Sequence, residues 1–166
     1  MDKDTLIEWP HVEAVLQSFA EAIREQYSQN LKEHDHYTTL GTDTRLVDSV
    51  TAFVEAGASA YEVKLTLNDY WKYVEEGTEP HWPPPKAILK WVQIKPVIPR
   101  PYNGRIPSEK SLAFLISRKI ASKGTKGTHD LAQARASTIE AFRWQLVEAL
   151  AEDVEDAAQM IFKFIK

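Results

Sequence analysis

The sequence predicts an α+β fold, in which a small antiparallel β-sheet or hairpin packs against amphipathic helices and long helices stand at both ends of the chain. Three observations predict it. Apolar residues recur every three or four positions from 12 to 31, residues 61–67 alternate between apolar and polar, and a second helical pattern fills 137–165. With 166 residues, 43% of them hydrophobic, the chain suits a single domain over 1–166 with its own core.

The first helix is predicted from about Pro10 to Glu33. Pro10 suits the first turn, because its fixed φ is helical and its missing N–H would have no intrahelical partner there. A single apolar stripe supports the helix and consists of Val12, Leu16, Phe19, Ile23, Tyr27 and Leu31. The polar residues 34–45 predict a loop after it.

A β-hairpin is predicted over 50–67. Residues 50–57 are rich in β-forming side chains, and 61–67 place Tyr61, Val63, Leu65 and Leu67 on one face of a strand. Two strands alone are marginally stable in water, so we expect the hairpin to pack on helices or to join other strands.

Proline and turn residues divide the middle of the chain. A helix is predicted over about 86–93, and the prolines before it favour a first turn. Prolines at 96, 99, 101 and 107 predict a proline-rich loop insert over 95–107. The next helix should begin after Ser108 as N-cap and end at Gly124, with its inward side formed by Leu112, Leu115, Ile116 and Ile120.

The C-terminal part is predicted to be a basic hinge over 122–130 and a helix over 137–165. Ser137 and Glu140 fit a capping box, which satisfies backbone donors at a helix start. Such a helix extends roughly 40 Å at about 1.5 Å per residue, so part of it should pack on something else. Its apolar stripe consists of Ile139, Phe142, Leu146, Leu150, Val154, Ala157, Ile161 and Phe164.

Charge is divided unevenly along the chain. Between 86 and 126 there are ten Lys and Arg residues and one acid, Glu109, so this segment carries +9 and the remainder −13. The asymmetry indicates an anionic partner or a contact between the basic part of one copy and the acidic part of another. A solvated basic helix pair with acids nearby in space is the simpler alternative, and it stays open.

Composition and motifs argue against several classes of protein. The chain has no Cys, its first residues are acidic without an apolar leader, and its apolar runs are too short for a membrane span. We therefore expect a soluble protein made in the cytoplasm.

No catalytic or metal site is predicted. His34, Asp35 and His36 could approach a metal, but a solvated loop explains them better, since structural zinc takes four N or S ligands. Neighbouring acids, as at 75–76, point apart on a helix, and the Gly-Thr-Lys-Gly at 124–127 lacks the Walker spacing. His81 and His129 are isolated. We expect no cofactor and no enzyme activity.

Residues 70–91 form the most unusual stretch, with five aromatic residues and four prolines. Tyr and Trp are favoured where contact area and a polar group are needed together, and prolines lower the entropy lost when a loop is ordered. Core packing under the hairpin would account for some of these residues. We predict that Trp82 and its loop dock on a partner.

The order of the motifs resembles the neck or tail-completion proteins of tailed bacteriophages. The resemblance rests on Tyr-x-x-Tyr-Val-Glu-x-Gly-Thr-x-Pro at 70–80, preceded by a Leu-x-x-Ser element at 46–49. Pro-x-x-Ile-x-x-Trp follows at 85–91, then Ser-Leu-Ala-Phe-x-Ile-x-Arg-Lys-Ile at 111–120 and Gly-Thr-x-Gly at 124–127. A closing helix completes the pattern.

The resemblance implies an α+β subunit that forms a homo-oligomeric ring of six or twelve copies in the virion, at the junction of portal and tail, without catalytic turnover. Its partners would be the portal, neighbouring tail or neck proteins and, in passing, genomic DNA. We place the protein interface at Tyr70, Trp71, Tyr73, Glu75, Trp82, Pro83, Pro84, Trp91, Arg100, Tyr102 and Arg105. Candidate DNA contacts are Lys119, Lys123 and Lys126.

A nucleic-acid-binding module is the alternative. It would use the basic segment 86–126, with Trp91 and Tyr102 as stacking surfaces, and its affinity would fall steeply with salt. An enzyme built on the histidines is a third, weaker hypothesis, because no convergent nucleophile, base and orienting group can be named.

Overall fold

The computed structural model describes residues 9–34, 45–57, 60–94, 99–101 and 104–164. In chain order the elements are α1 (Pro10–Glu33), α2 (Leu46–Ser49), β1 (Thr51–Ala56), β2 (Tyr61–Thr66), α3 (Trp71–Glu75), β3 (Gly77–Thr78), α4 (Pro85–Ile94), α5 (Glu109–Lys123), β4 (Thr125–Lys126) and α6 (Asp130–Phe164). The predicted α+β class is confirmed, with long terminal helices packed together and small antiparallel sheets. No helix within these ranges is long and apolar enough to cross a membrane.

Two compact units make up the chain. Unit 1 consists of 1–29, 50–66 and 131–166, and unit 2 consists of 30–49 and 67–130. Several segments alternate between them along the sequence. The single domain expected from the sequence stays a prediction.

Helix α1 has the predicted bounds and buries the predicted stripe most deeply in its second half. Ile23 is 3% exposed, and Tyr27 and Leu31 are fully buried. Phe19 makes an edge-to-face contact with Phe142 of α6, with ring centroids 5.7 Å apart and an interplanar angle of 86°. Aromatic pairs in this geometry add about 0.5–1.5 kcal/mol beyond the area they bury. Phe19 of the stripe therefore contacts α6.

Asp153 of α6 caps the first turn of α1. Its carboxylate accepts the backbone N–H groups of His11 at 3.1 Å and Val12 at 2.9 Å, and His11 Nδ1 lies 2.7 Å from the same group. The first N–H groups of a helix have no intrahelical partner, and their dipoles favour a negative charge. A helix N-terminus is thus satisfied by an acid about 140 positions away in sequence.

The cap changes the pKa values of both partners. The hydrogen bond to Asp153 is the main cause that raises the pKa of the His11 imidazole above 6.5. Burial acts to raise the pKa of Asp153, but the N–H groups of Val12 and His11 and the His11 ring outweigh it, so this pKa lies below 3.8. Both shifts favour the charged pair.

Helix α6 begins at Asp130, well before the predicted start at Ser137. Ser137 lies in the helix interior, where its Oγ donates to the carbonyls of Gln133 and Ala134. The local Ser-x-x-Glu pattern predicts a helix start at Ser137, but the helix begins seven residues earlier, at Asp130. There His129 has a φ of 58°, and the fully buried Asp130 stands in the first turn.

The predicted hairpin is confirmed. Strands β1 and β2 are antiparallel, with Thr51 opposite Thr66 and Ala56 opposite Tyr61. A hydrogen bond of 2.8 Å from Gly57 N to Ala60 O closes the turn. No side chain on either strand is buried, and Phe53 of β1 is 47% exposed.

Helices α4 and α5 pack on each other in unit 2. Their core contains Ile88, Val92 and Ala113, and the half-buried residues Leu89, Trp91, Leu112, Ile116 and Ile120 surround it. The predicted Ser108 N-cap accepts from Ser111 N, and Gly124 ends the helix as expected. Leu115, predicted to face inward, is 51% exposed instead, because α4 covers only one side of α5. Of the proline-rich insert, 95–98 and 102–103 lie outside the described residues, and the rest contains no helix.

Candidate assembly surface

The two glycine-containing motifs meet in a backbone contact that we call the glycine clasp, formed by residues 75–78 and 124–127. Strands β3 and β4 are antiparallel, with Gly77 opposite Lys126 and Thr78 opposite Thr125. The two threonine Oγ1 atoms lie 2.9 Å apart, and Thr125 N donates to Thr78 Oγ1 at 3.2 Å. Within the basic hinge predicted over 122–130, Thr125 and Lys126 therefore form a paired strand, and the hinge itself stays a prediction.

Glycine is required at the clasp by space and by backbone angle. A Cβ at Gly124 would overlap the carbonyl oxygen of Thr78, and one at Gly77 would overlap that of Thr125. Both glycines have positive φ, +68° and +80°, which L side chains rarely adopt. The clasp fixes the start of the proline loop against the end of α5.

A buried acid links the clasp to the end of α1. Asp130 is fully buried, accepts from Thr128 Oγ1 at 2.7 Å and lies 2.7 Å from His34 Nδ1. Asn30 Nδ2 donates to the backbone carbonyl of Asp130 at 3.1 Å. No local pattern predicts this cluster, because Asn30 and His34 are about a hundred positions from Asp130.

The histidine motif at 34–36 gains a structural explanation only at its first residue, since Asp35 and His36 lie outside the described residues. The His34 side chain is half-exposed and pairs with Asp130. Within the described ranges, no group of three His, Cys, Asp or Glu side chains is placed to hold a metal ion.

The predicted docking residues divide by exposure. Tyr73 is 65% and Trp82 is 53% exposed. Pro84, Arg100 and Arg105 are also exposed, whereas Tyr70, Trp71 and Trp91 are half-buried. Glu75, at 7% exposed, and Pro83 lie inside unit 2 and present no surface. Tyr102 lies outside the described residues.

An apolar groove of about 190 Å³ lies beside Trp82. We call it the Trp82 groove; its lining includes Trp82, Lys86, Leu89, Lys110, Phe114 and Ser117. The rings of Trp82 and Phe114 are 6.0 Å apart at 61°. Ser117 Oγ is buried and has no hydrogen-bond partner among the described residues. Phe114, Lys86 and Lys110 were not among the predicted site residues, because only the packing of α4 on α5 brings them to Trp82.

Basic side chains around the groove form no ion pair with the acids that the structure describes. Among the described residues, no Lys or Arg between 86 and 126 forms an ion pair. The candidate DNA contacts Lys119, Lys123 and Lys126 are all exposed. In the part of the chain that the structure describes, acids therefore do not balance this charge within ion-pair distance.

Helix α6 presents an apolar strip to solvent. Trp144 is 66%, Val147 53% and Val154 50% exposed, and Ala151 is exposed between them. We call these four residues the α6 face. The predicted stripe is wrong for Ile139, Leu146, Leu150, Val154 and Ile161, which are all exposed. The buried side of α6 includes Ala149 and Asp153 instead, and Asp153 contacts the first turn of α1.

Comparisons with protein-family models, with curated proteins and with solved structures find no match for this chain.

Proposed function

We propose that this chain is a structural subunit of the neck of a tailed bacteriophage, of the neck or tail-completion family. Six or twelve copies form a ring at the junction of portal and tail, around the channel through which DNA passes. The chain joins two assemblies in the virion and has no catalytic turnover.

The glycine clasp carries the proposal. The Glu-x-Gly-Thr and Gly-Thr-x-Gly motifs, on which the resemblance rests, stand 47 residues apart in sequence and pair through their backbones. Glycines with positive φ and no space for a Cβ give both motifs a physical reason. Separate chance matches would have no reason to meet in space.

The surface gives a second support. A ring repeats one heterologous contact until the rotation closes, so each copy needs two different complementary patches. Unit 2 carries unpaired basic residues, and the exposed part of α6 is rich in acids. Apolar residues accompany both patches.

Electron microscopy of tailed particles containing the chain tests the proposal. With a compact tag fused after residue 166, we expect additional ring-shaped density between portal and tail, and tailless heads when the gene is disrupted. Untagged particles are the control. Tag density elsewhere in the particle, or absence of the chain from purified particles, would refute the proposal.

Binding to nucleic acid is the second candidate, and the unpaired lysines favour it. A Lys119→Ala, Lys123→Ala and Lys126→Ala variant should then lose affinity for duplex DNA, with a shallower salt dependence. Gel-shift titration at about 50 mM salt is the measurement, since nonspecific binding is tightest at low salt. No binding by the unaltered chain under these conditions would dismiss this candidate.

A further inference from the structure

We propose that the Trp82 groove of one copy receives the α6 face of the next copy, with Trp144 as the main inserted side chain. The inference rests on the proposed ring, for which it names the contact between subunits. Groove and face lie on different units, so the contact is heterologous, as a ring requires.

The size of the groove favours a side chain over a small molecule. Sites for small ligands usually measure about 300–1,000 Å³, whereas this groove measures about 190 Å³. Its apolar lining of Trp82, Leu89 and Phe114 is suited to an aromatic anchor. Exposed aromatic side chains are also the usual anchors of protein interfaces.

Helical spacing places the α6 face in one strip with acids along its edge. Trp144, Val147 and Val154 follow at three- and seven-residue spacing and therefore share a side of the helix. Glu148 and Glu155 are two turns apart at one edge of that strip, and both are exposed. The face is thus apolar along its centre and negative at its side.

Complementary charges favour binding of the α6 face in the Trp82 groove. Lys86 and Lys110 line the groove, and Lys90 is exposed one turn after Lys86. None of these lysines has an ion-pair partner among the residues described. Glu148 and Glu155 likewise form no ion pair within that part of the chain. Opposite charges beside an apolar contact fix its register and exclude wrong partners.

Arg143 is the one unfavourable charge near the face. Its guanidinium lies over the Trp144 ring, 5.4 Å from the centroid. Because Arg143 already contacts the indole, the ring can enter the groove while the charge stays at the margin. We expect Arg143→Ala to strengthen the association slightly.

A charge exchange tests the contact, with the assembly constant measured by mass photometry and sedimentation of the full chain. Lys86→Glu with Lys110→Glu, and Glu148→Lys with Glu155→Lys, should each weaken association about tenfold or more. A mixture of the two variants should restore it to within about threefold of the unaltered chain. Weakening without restoration would overturn the inference.

Trp144→Ala should weaken association about thirtyfold, as for an interface anchor. Phe53→Ala is the control, because Phe53 is also an exposed aromatic residue but lies on β1 and belongs to neither the α6 face nor the Trp82 groove. Circular dichroism checks that both variants fold. Equal effects of the two substitutions would also overturn the inference.

Cross-linking identifies the occupant, since the chain has no cysteine of its own. Lys90→Cys and Glu140→Cys, in separate chains, should form a covalent dimer with a bismaleimide only when mixed. A cross-link within a doubly substituted chain, without dimers, would overturn the inference. Protection of the Lys90→Cys variant from the bismaleimide by added DNA would also overturn the inference. If cross-linking fails but particles contain the ring, the proposed function stands; if the ring is absent, that function fails independently.

Discussion

Replacing Asp153 by Ala should destabilise the chain by about 2–3 kcal/mol. Loss of an N-cap costs about 0.5–2 kcal/mol, and a hydrogen bond to a charged group contributes about 1.5–3 kcal/mol. Asp153 accepts two backbone N–H groups of α1 and is buried, so water cannot replace it without rearrangement. The effects share one carboxylate, and we therefore expect less than their sum.

Urea unfolding followed by circular dichroism measures this loss, and amide hydrogen exchange locates it. The Val12 amide should exchange faster in Asp153→Ala, because its acceptor is gone. Asp156→Ala is the matched control, an exposed acid on the same helix, and should change stability by less than about 0.5 kcal/mol. Equal stability of the two variants, or unchanged exchange at Val12, would refute the capping role.

The cap also has a definite pH dependence. The pKa of His11 is raised above 6.5, so its contribution is complete below 6.5 and is lost as pH rises through the higher folded value. The pKa of Asp153 is lowered below 3.8, so its contribution is complete above 3.8 and is lost as pH falls through the lower folded value. The pair therefore stabilises most between about pH 4 and pH 6.5. A stability difference between the chain and Asp153→Asn that is constant from pH 4 to 9 would contradict this.

Three further substitutions test the fold around the candidate surface. Gly124→Ala should lower the free energy of unfolding in urea by more than about 3 kcal/mol, because it adds a backbone clash to an unfavourable φ. Gly104 has a similar φ but open space around it, so Gly104→Ala should cost only about 1 kcal/mol. Equal costs of the two substitutions would refute the clasp. Ser117→Ala should raise the melting temperature by about 2–4 °C, because it removes an unpaired buried hydroxyl; a decrease would mean that the hydroxyl is satisfied. Asp130→Ala should cost about 1–3 kcal/mol and speed exchange at the clasp amides, because it removes the carboxylate that accepts from Thr128 and pairs with His34; unchanged exchange would separate Asp130 from the clasp.

Local signals predicted the elements that depend on neighbouring residues. Pro10, the Ser108 cap and the Gly124 stop each act within one helical turn, and the alternation of 61–67 marks a strand without tertiary help. The predicted start of α6 at Ser137 is wrong. The helix begins at the buried Asp130, whose partner His34 is distant in sequence, and the local pattern at Ser137 does not reveal this.

The candidate surface was predictable only in part. Trp82 was predicted to dock on a partner, and this stays a prediction; its side chain is 53% exposed. Phe114 and Lys110 join it only through the packing of α4 on α5, which no local spacing reveals. On α6, the large residues were expected inside, but Ala149 and Asp153 are buried there. With Ala149 and Asp153 buried, Trp144 is 66% exposed.

The register of α1 on α6 explains why so much apolar surface is exposed near the end of α6. His11 stands at Asp153, so α6 continues from Val154 to Phe164 past the first turn of α1. Met160, Ile161 and Phe162 in this extension are each at least 60% exposed. Covering such residues with a second copy lowers the free energy of an assembly by about 25 cal/mol per Å² of apolar surface. These side chains contribute little to the stability of a single copy, and the proposed ring would give them a partner.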